Sequence, residues 1–486
     1  MSKPFFRRKL FKVEAALTFR DVILLPGWTE VDPGEIDVRT KATINYELNI
    51  PLISSPMDTV TESEMAISLT RQGGLGVLHR NCSIEEEVEM AKRVKKAEAF
   101  VIRDVITIEP GQTVAFALEL MKKHSISGLP VIEGGKLIGI VTGRDVRFSD
   151  LSLKVKDVMT KDVIVAREGI TIEEAKEILQ QHRIEKLPVV DDQGAIRGLI
   201  TVKDITLKGK FPDAARDEKG QLLCAAATSP LDFERAKRLD EYVDILVIDV
   251  AHFHNKNCFS ATKKMLKEIE ADVVVGNIGT YKAAEDAITK LEGIAGLRVG
   301  IGSGSTCTTM EMARAGSPTL YATAQASDAV TSYGANLPII ADGGVRNPGD
   351  VAVALAVGAS TVMMGNIFAG CKEAPGELVA IGGRYYKQYR GMGSPSARAK
   401  RFAIDRYQPA KGIPEGVEGW VPYRGDVASV VQEFIGGLRA AMGYAGAKTI
   451  QELQRKARLA VLTESGVKEA MPHSILLPSE RTLETM

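Results

Sequence analysis

Cys307 is the residue in this chain best suited to covalent chemistry, because an apolar segment and three closely spaced glycines lead directly to it. The segment reads Arg298-Val-Gly-Ile-Gly-Ser-Gly-Ser-Thr-Cys-Thr-Thr, with glycines at 300, 302 and 304. Glycines this close allow positive φ angles and bring the backbone near a ligand or an ion. A thiolate held among backbone dipoles is a good nucleophile. A free cysteine is as often a small, inert, buried side chain, so the spacing alone leaves both interpretations open.

Glycine-rich segments also follow two later apolar runs, and they are suited to binding phosphate. These segments are Asp342-Gly343-Gly344 and Gly365-Asn366. Backbone N–H groups in the loops after late barrel strands form phosphate sites. One glycine pair is usually only a turn, but two such segments at two strand ends favour a binding role.

The elements that position these segments alternate between short apolar runs and helical stretches from residue 220 onward. The predicted strands span 245–249, 273–276, 297–301, 339–342 and 361–364, with earlier strands at 51–54 and 75–78. The predicted helices span 256–269, 281–291, 322–333 and 348–356. This alternation predicts a parallel sheet, and eight such units close a barrel. Polar or glycine residues follow each strand, so the sheet would gather them at its C-terminal edge, where barrel active sites lie.

Two copies of one pattern lie between residues 100 and 208. Within each copy, the pattern of apolar residues predicts a strand, an amphipathic helix, a two-stranded hairpin and the start of a second helix. The hairpin turns are Glu133-Gly-Gly and Asp191-Asp-Gln-Gly. The pair therefore forms an inserted domain, 98–208, with copies at about 98–150 and 154–208. The larger domain is then discontinuous, at 1–97 and 209–486.

Composition restricts the class of protein. A chain of 486 residues with 45% apolar and 26% charged residues predicts a globular protein of two or more domains. Lysine plus arginine equals aspartate plus glutamate at 62 each, so charge implies neither nucleic acid nor membrane as a partner. Five scattered cysteines indicate a reducing compartment rather than a disulfide framework. No secretory signal is visible, so the expected location is the cytoplasm.

The motifs taken together resemble one enzyme family. The Cys307 segment is similar to the catalytic loop of IMP dehydrogenases, and further motifs follow the family's order at 17–26, 54–62, 341–344, 363–365 and 389–394. The similarity extends from about residue 15 to about residue 475. It implies an α/β fold, a (β/α)8 TIM barrel with an α+β insertion. It also implies the NAD-dependent oxidation of IMP to XMP in guanine nucleotide biosynthesis.

The resemblance implies a role for individual residues. Cys307 would form a covalent thioimidate at C2 of the purine, and Thr309, Arg406 and Tyr407 would activate water to hydrolyse it. The last two lie in a Gly-, Pro- and charge-rich stretch, 393–418, that is typical of an active-site flap. The implied IMP-binding residues are Ser55, Met57, Ser305, Asp342, Gly343, Gly344, Gly365, Asn366, Tyr389, Gly391, Met392 and Glu415.

A dinucleotide and a cation are also implied. Asp249 and Asn277 match family positions beside NAD. The glycines before Cys307 are not a Rossmann fingerprint, because they lack the GxGxxG spacing and the later acidic residue. The implied K⁺ ligands are backbone groups of Gly302, Gly304 and Cys307, completed by Glu464, Ser465 and Gly466 of a neighbouring subunit. This cation site would make the protein a homo-oligomer, which in this family is usually a tetramer.

The inserted repeats resemble a pair of cystathionine-β-synthase (CBS) domains, which bind adenine or guanine nucleotides. By that resemblance Thr142 with Asp145, and Thr201 with Asp204, would face the ribose and phosphate of a regulatory nucleotide. The alternative is that these residues only cap the helices that follow them.

Three positions depart from the family's usual pattern on the side expected to hold the dinucleotide. Met310 stands where arginine or glutamine is usual, Thr319 where glutamine is usual, and Val250 where serine or threonine is usual.

Three alternative functions stay open. GMP reductase shares the barrel, the cysteine and the threonine, but it lacks Arg406-Tyr407 and less usually carries a CBS pair. A nucleotide-sensing relative without activity is the second, and the intact catalytic residues argue against it. The third is a metal hydrolase that uses His252-x-His254 as zinc ligands, although the six histidines of the chain form no further ligand cluster.

Overall fold

The computed structural model describes residues 13–97, 101–103, 105–124, 126–402 and 414–472, with only the backbone described at 204, 207 and 208. Contacts divide the chain into two compact units. The larger takes its residues from Met1–Val94, Asp213–Asp217 and Leu222–Met486, and the smaller from Lys95–Pro212 and Glu218–Gln221. Arg406 and Tyr407 of the predicted flap lie outside the described residues.

Helices and strands are numbered in chain order. The first part of the chain contains β1 (Val22–Leu25), a 3₁₀ turn (Pro33–Glu35), β2 (Thr40–Lys41), β3 (Glu47–Leu48), β4 (Leu52–Ser54), α1 (Ser63–Arg71), β5 (Leu75–Leu78) and α2 (Ile84–Lys96). The middle part contains α3 (Val114–Lys123), β6 (Gly128–Glu133), β7 (Lys136–Thr142), α4 (Gly143–Val146), α5 (Val155–Val158), β8 (Ala166–Arg167), α6 (Ile172–His182), β9 (Lys186–Val190), β10 (Ile196–Thr201) and α7 (Val202–Lys210).

The remaining part begins with β11 (Ala225–Thr228), α8 (Phe233–Asp240), β12 (Ile245–Ile248), α9 (Lys256–Met265), β13 (Asp272–Ile278), α10 (Tyr281–Lys290), β14 (Gly296–Val299), α11 (Thr309–Ala313), α12 (Thr319–Ser332), β15 (Ile339–Asp342), α13 (Pro348–Ala356), β16 (Thr361–Met364) and α14 (Asn366–Ala369). It continues with β17 (Leu378–Ile381), β18 (Arg384–Arg390), α15 (Pro395–Ala399), β19 (Glu418–Pro422), α16 (Val427–Ala445), α17 (Ile450–Lys456), β20 (Arg458–Val461) and α18 (Glu464–Glu469).

Eight parallel strands of the larger unit form a closed barrel in the order β11-β12-β13-β14-β15-β16-β4-β5. The barrel implied by the family resemblance is thus confirmed. Strands β15 and β16 and helix α13 have the predicted bounds, whereas β14 ends at Val299, two residues early. The reason is that Gly300 takes a φ of 113°, which ends the extended conformation.

Alternation along the strands builds two separate hydrophobic layers. Ile53 of β4 packs in the cluster that includes Val77, Val247 and Ile340, whereas the adjacent Leu52 packs in the cluster formed with the outer helices. Successive side chains of a strand point to opposite faces, so neighbouring residues must enter different layers. Both layers are apolar, which fixes the strand register and thus the point at which each strand ends.

A three-stranded antiparallel sheet, β17-β18-β19, follows the last barrel strand. Strand β18 ends at Arg390, which pairs with Glu418 at the start of β19. This sheet therefore brings both ends of the 393–418 segment together at one edge. Within that segment the structure describes a short helix, α15, and residues 414–418.

The smaller unit contains the two repeats. One carries the β6–β7 hairpin and the other the three-stranded sheet β10-β9-β8, and each has its own apolar cluster. Thr142 and Asp145 form a capping pair, in which the Thr142 N–H and hydroxyl donate to Asp145 Oδ2 at 2.7 and 2.8 Å. The capping role that the sequence left open is present there, and a role in nucleotide binding stays a prediction. The side chain of Asp204 lies outside the described residues.

Within the described ranges, no helix has both the length and the apolar character needed to cross a bilayer.

Candidate active site

The loop that carries Cys307 leaves the C-terminal end of β14 and needs glycine at its first turn. Gly300 and Gly302 have φ angles of 113° and 86°. A Cβ on Gly300 would lie 2.7 Å from Thr319 Oγ1 and 2.8 Å from the Asp342 carbonyl oxygen. Both the positive φ and the close neighbours exclude a side chain at 300, so the sequence motif reflects a steric requirement.

Cys307 is half-buried and lies beside a hydroxyl and a carboxylate. Its Sγ is 3.2 Å from Thr309 Oγ1, and the Thr309 hydroxyl donates to Glu415 Oε2 at 2.9 Å. Because the Thr309 proton is directed to Glu415, the Cys307 thiol is the donor to Thr309. A thiol, a hydroxyl and a carboxylate in sequence form a path that can take a proton from the sulfur.

The other four cysteines are buried and differ from Cys307 in reactivity. Burial raises the pKa of Cys82 to about 12, and burial likewise raises the pKa of Cys371 to about 12. The thiolate is the reactive form, so Cys307 is the one cysteine of the chain that combines solvent access with polar neighbours.

Two glycine-rich loops come together beside this cysteine. Gly343 and Gly344 follow β15 with φ angles of 83° and 80°. A Cβ on Gly343 would contact the Gly304 backbone nitrogen at 3.4 Å, so the two loops are adjacent. On the other side, Asn366 Nδ2 donates to Ser305 Oγ at 3.2 Å. A hydroxyl and a side-chain amide therefore lie together in the cavity that these glycine-rich loops line, which suits a phosphate group.

Among the described residues, the side chains that hold Asp342 contact one of its carboxylate oxygens. Its Oδ2 accepts Asn277 Nδ2 at 2.8 Å, Arg298 Nε at 3.0 Å and Arg298 Nη2 at 2.8 Å. These donors leave Oδ1 with its acceptor capacity for the hydroxyls of a sugar. Arg298 was missed by the sequence reasoning, although a lone charged residue inside the apolar strand β14 was a visible signal.

Asp249 lies deeper than its expected role beside a dinucleotide implies. Its side chain is 1% exposed, and its carboxylate is 2.9 Å from Arg298 Nη1 and 3.7 Å from Arg80 Nε. It is absent from the residues that line the cavity at this end of the barrel, whereas Asn277 lines it. In the described structure Asp249 thus acts as the counter-ion of two buried arginines.

Another side of the cavity near the sulfur is formed by Tyr389, Met57 and Gly391. The Tyr389 hydroxyl donates to Met57 Sδ at 3.7 Å, and burial raises the pKa of Tyr389. Gly391 lies against the Cys307 loop, because a Cβ there would be 2.9 Å from the Thr306 carbonyl oxygen. An aromatic ring and a thioether line this part of the cavity, which suits a purine ring.

One cavity of about 1690 Å³ is lined by the Cys307 loop, the two glycine-rich loops and the segment around Tyr389. The predicted residues that line it are Ser55, Met57, Asn277, Gly302, Gly304, Ser305, Cys307, Thr309, Asp342, Gly343, Gly344, Gly365, Asn366, Tyr389, Gly391, Met392 and Glu415. Glu464, Ser465 and Gly466 do not line it, although Leu462, Val467 and Lys468 beside them do. A ligand pocket for one small molecule is typically about 300–1000 Å³, so this cavity has room for two ligands side by side.

The three departures from the family pattern have structural roles. Met310 fills the space beside two glycines, since a Cβ on Gly302 or Gly316 would lie 2.6 Å from its Cγ. Thr319 ties two loops together, because its N–H donates to Ser303 Oγ at 3.0 Å and its hydroxyl to the Asp342 carbonyl at 2.7 Å. Val250 is buried.

The two histidines considered as zinc ligands have different surroundings. His254 Nε2 lies 2.8 Å from Asp286 Oδ2, and His252 lines the cavity. No group of three metal-ligating side chains occurs in the part of the chain that the structure describes. Nothing in the geometry favours the metal hydrolase alternative.

Comparison with known proteins gives a consistent family. Residues 16–473 match the model of the IMP dehydrogenase / GMP reductase domain. The chain is 57% identical over 469 residues to the inosine-5′-monophosphate dehydrogenase of Korarchaeum cryptofilum, covering 96% of this chain and 98% of the relative. It is 51% identical over 492 residues to that of Methanocaldococcus jannaschii, covering 98% of both chains.

A solved structure extends the comparison. It is a cysteine-to-alanine variant of GMP reductase from Trypanosoma brucei in complex with guanosine 5′-monophosphate, 36% identical with a TM-score of 0.89. It covers 96% of this chain and 100% of that one, so the similarity includes the inserted unit.

Proposed function

The chain belongs to the IMP dehydrogenase/GMP reductase family, and we propose that it catalyses the NAD-dependent oxidation of IMP to XMP. The observation that carries this proposal is the placement of Cys307 Sγ, 3.2 Å from Thr309 Oγ1, in a cavity that the glycine-rich loop after Asp342 also lines. A nucleotide bound with its phosphate on that loop would share this cavity with the sulfur.

Binding would use three groups of residues. Ser305, Gly343, Gly344, Gly365 and Asn366 would hold the 5′-phosphate, and Asp342 Oδ1 would accept from the ribose hydroxyls. Ser55, Met57, Tyr389, Gly391, Met392 and Glu415 would surround the base. Such fixed contacts place C2 of the base close to the sulfur, which turns a bimolecular attack into an intramolecular step.

The first half-reaction would be oxidation through a covalent bond. The Cys307 thiolate adds to C2 of hypoxanthine, and its proton leaves along the Thr309–Glu415 path. C2 then loses a hydride with its electron pair, which leaves a thioimidate bonded to Cys307. NAD, when bound, supplies the hydride acceptor, and the cavity is large enough to hold it beside IMP.

The second half-reaction would be hydrolysis. Water adds to C2 and the C–S bond breaks, so XMP leaves with the new oxygen and the sulfur leaves as the Cys307 thiolate. One proton of the water stays on a ring nitrogen of the purine, and the other goes to the group that activates the water. Thr309 is within reach of the sulfur and can take part in proton transfer. Arg406 and Tyr407 complete this step in the proposal, on the sequence resemblance alone.

GMP reduction is the alternative within the same family. The inserted unit does not distinguish the two activities, because the Trypanosoma brucei GMP reductase is matched over its whole length. The chain's Arg406-Tyr407 pair and its identity of 57% to a named dehydrogenase, against 36% to this reductase, favour oxidation.

A mixing assay tests the proposal. Protein with IMP, NAD⁺ and K⁺ is expected to produce NADH and XMP, while GMP with NADPH gives no turnover. The opposite result identifies a reductase, and silence in both assays supports a nucleotide-sensing relative without activity.

A K⁺ ion completes the proposed site. The Gly304 carbonyl accepts the Cys307 N–H at 2.9 Å and keeps a second lone pair for a cation. Carbonyls of Gly302 and Cys307 would add to it, with Glu464, Ser465 and Gly466 of a neighbouring subunit in a homotetramer. Activity is expected to fall when Na⁺ replaces K⁺, and the oligomer is measured by light scattering.

The smaller unit is proposed to be a regulatory CBS pair within the predicted boundaries 98–208. Its two repeats are joined by Arg144–Glu185 at 2.6 Å and by Lys186 Nζ to Ser127 Oγ at 2.9 Å. Thr142, Asp145, Thr201 and Asp204 would bind an adenine or guanine nucleotide near this contact. Titration of ATP and GTP onto the full chain, followed by calorimetry, tests for saturable binding.

A further inference from the structure

Asp58 is a buried carboxylate beside the nucleotide-binding segments, and the reaction itself does not use it. It follows Met57 directly, and its side chain is 0% exposed. Arg390 binds it at two points, with Nε donating to Oδ1 at 3.0 Å and Nη2 donating to Oδ2. Asn81 Nδ2 donates to Oδ2 at 2.9 Å, and the Lys400 ammonium lies 3.4 Å from Oδ2.

This arrangement is a fixed ion pair rather than a titrating group. Burial by itself would raise the pKa of Asp58, but the hydrogen bonds and positive charge of Arg390 outweigh burial and lower the pKa. A guanidinium that binds a carboxylate at two points also fixes the orientation of both partners. The position of Arg390 is therefore determined by Asp58.

Arg390 in turn determines where β18 ends. Its N–H donates to Thr59 Oγ1 at 3.2 Å, and its Nη1 donates to Ser396 Oγ at 3.3 Å. The preceding residue, Tyr389, contacts Met57 through its hydroxyl. The loop after β4 thus holds the end of β18 through a backbone bond, an ion pair and a side-chain contact.

The next residue carries this constraint to the Cys307 loop. The Gly391 N–H donates to the Val417 carbonyl at 2.9 Å, and the Val417 N–H donates to the Thr306 carbonyl at 2.9 Å. Because a Cβ on Gly391 would lie 2.9 Å from that Thr306 oxygen, no space separates the two segments. A shift of Arg390 must therefore move the backbone beside Cys307.

We propose that Asp58 is a positioning residue, which acts through Arg390 to hold residues 389–392 against the Cys307 loop and so sets the affinity for the nucleotide. This inference rests on the proposed function, since these residues meet the base only if IMP is the substrate. The dinucleotide side of the cavity, where Asn277 and His252 lie, has no contact with Asp58 among the bonds described for it.

The test uses Asp58→Asn, which keeps the size of the side chain and removes its charge. Cys307 is alkylated with iodoacetamide at increasing IMP, and the IMP concentration that halves the alkylation rate gives the affinity without turnover. We expect this concentration, and the KM for IMP, to rise by about tenfold or more, because small misplacements of binding groups have large effects. The KM for NAD⁺ is expected to change by less than about twofold.

The control is Glu87→Gln, which alters another buried contact between a carboxyl group and an arginine. Glu87 pairs with Arg235, their side chains are 0% and 3% exposed, and neither lines the cavity. This variant is expected to lose thermal stability while IMP protects Cys307 at the wild-type concentration. A general loss of stability would therefore raise the IMP concentration needed for half-protection in both variants. Loss of positioning would raise it only in Asp58→Asn.

Each outcome decides the proposal. If IMP does not protect the wild-type cysteine, the proposed function fails, and the positioning role fails with it. A second outcome is that IMP protects the wild type while the half-protecting IMP concentration of folded Asp58→Asn differs from the wild-type value by less than about twofold. In that case only the positioning role is overturned. Should Asp58→Asn not fold, Arg390→Lys is measured by the same criteria, because lysine keeps the charge and loses the two-point contact.

Discussion

The sulfur of Cys307 lies 3.2 Å from the hydroxyl of Thr309, whose own proton is donated to Glu415. This order of donors gives the thiol a route for its proton at the start of the reaction. It also leaves the same hydroxyl beside the C–S bond when water must attack. In the proposed mechanism one threonine therefore serves both half-reactions, and the two can be separated by experiment.

Removal of the Thr309 hydroxyl is expected to slow hydrolysis more than oxidation. In Thr309→Val the shape is kept but the hydroxyl beside the attacking water is lost, whereas the half-buried Cys307 thiol can still ionise to solvent, so kcat is expected to fall by about 10²–10⁴-fold through the hydrolysis step. Stopped-flow measurement of NADH is expected to show a burst of about one equivalent per active site before a slow steady state.

Thr308→Val is the matched control for this prediction, because Thr308 is adjacent and does not line the cavity. It is expected to turn over at a rate close to the wild type. A Thr309→Val enzyme that shows no burst, with chemistry slowed before NADH forms, would contradict the assignment to hydrolysis.

Replacement of the nucleophile is expected to abolish turnover and spare binding. Cys307→Ser presents a hydroxyl that stays protonated at neutral pH, whereas IMP contacts the same loops. Calorimetry should therefore detect IMP binding to a protein that produces no NADH. Cys371→Ala, at a buried cysteine whose pKa is raised to about 12 by burial, is the control and should retain activity.

Removal of Arg298 is expected to destabilise the larger unit. Arg298→Met removes the buried arginine that the carboxylates of Asp249 and Asp342 share, and loss of one member of a buried pair costs about 3–5 kcal/mol. Guanidinium chloride unfolding measures the change in the free energy of unfolding. Arg93→Met, at an exposed pair with Glu89, should leave it almost unchanged.

A methyl group at Gly391 is expected to disturb the site without unfolding the protein. The new Cβ of Gly391→Ala would meet the Thr306 carbonyl at 2.9 Å, which displaces the backbone beside Cys307. We expect kcat/KM for IMP to fall by about ten- to a hundredfold. Gly419→Ala in the neighbouring strand β19 has nothing within 4 Å of its new Cβ, so steady-state kinetics should be near wild type.

Local patterns predicted the Cys307 loop and the two glycine-rich segments, because such patterns reflect requirements of single loops, whereas the other site residues were implied by the family resemblance. Gly300 is needed where β14 turns sharply, and Asp342 follows a strand whose apolar residues are evident from the sequence. The same patterns predicted β15, β16 and α13 to the residue. Closure of the barrel was predicted from the family resemblance, because pairing between strands that are distant in the sequence leaves no local signal.

By itself, the sequence determined the family and predicted the nucleophile and the glycine-rich loops, because each depends on residue types at short spacing. Only the tertiary structure decided which charges meet. It joined Arg298 to Asp249 and Asp342, and Asp58 to Arg390, across separations of 44 to 332 residues along the chain. Partners that far apart are selected by the packing of the barrel, which no local pattern encodes.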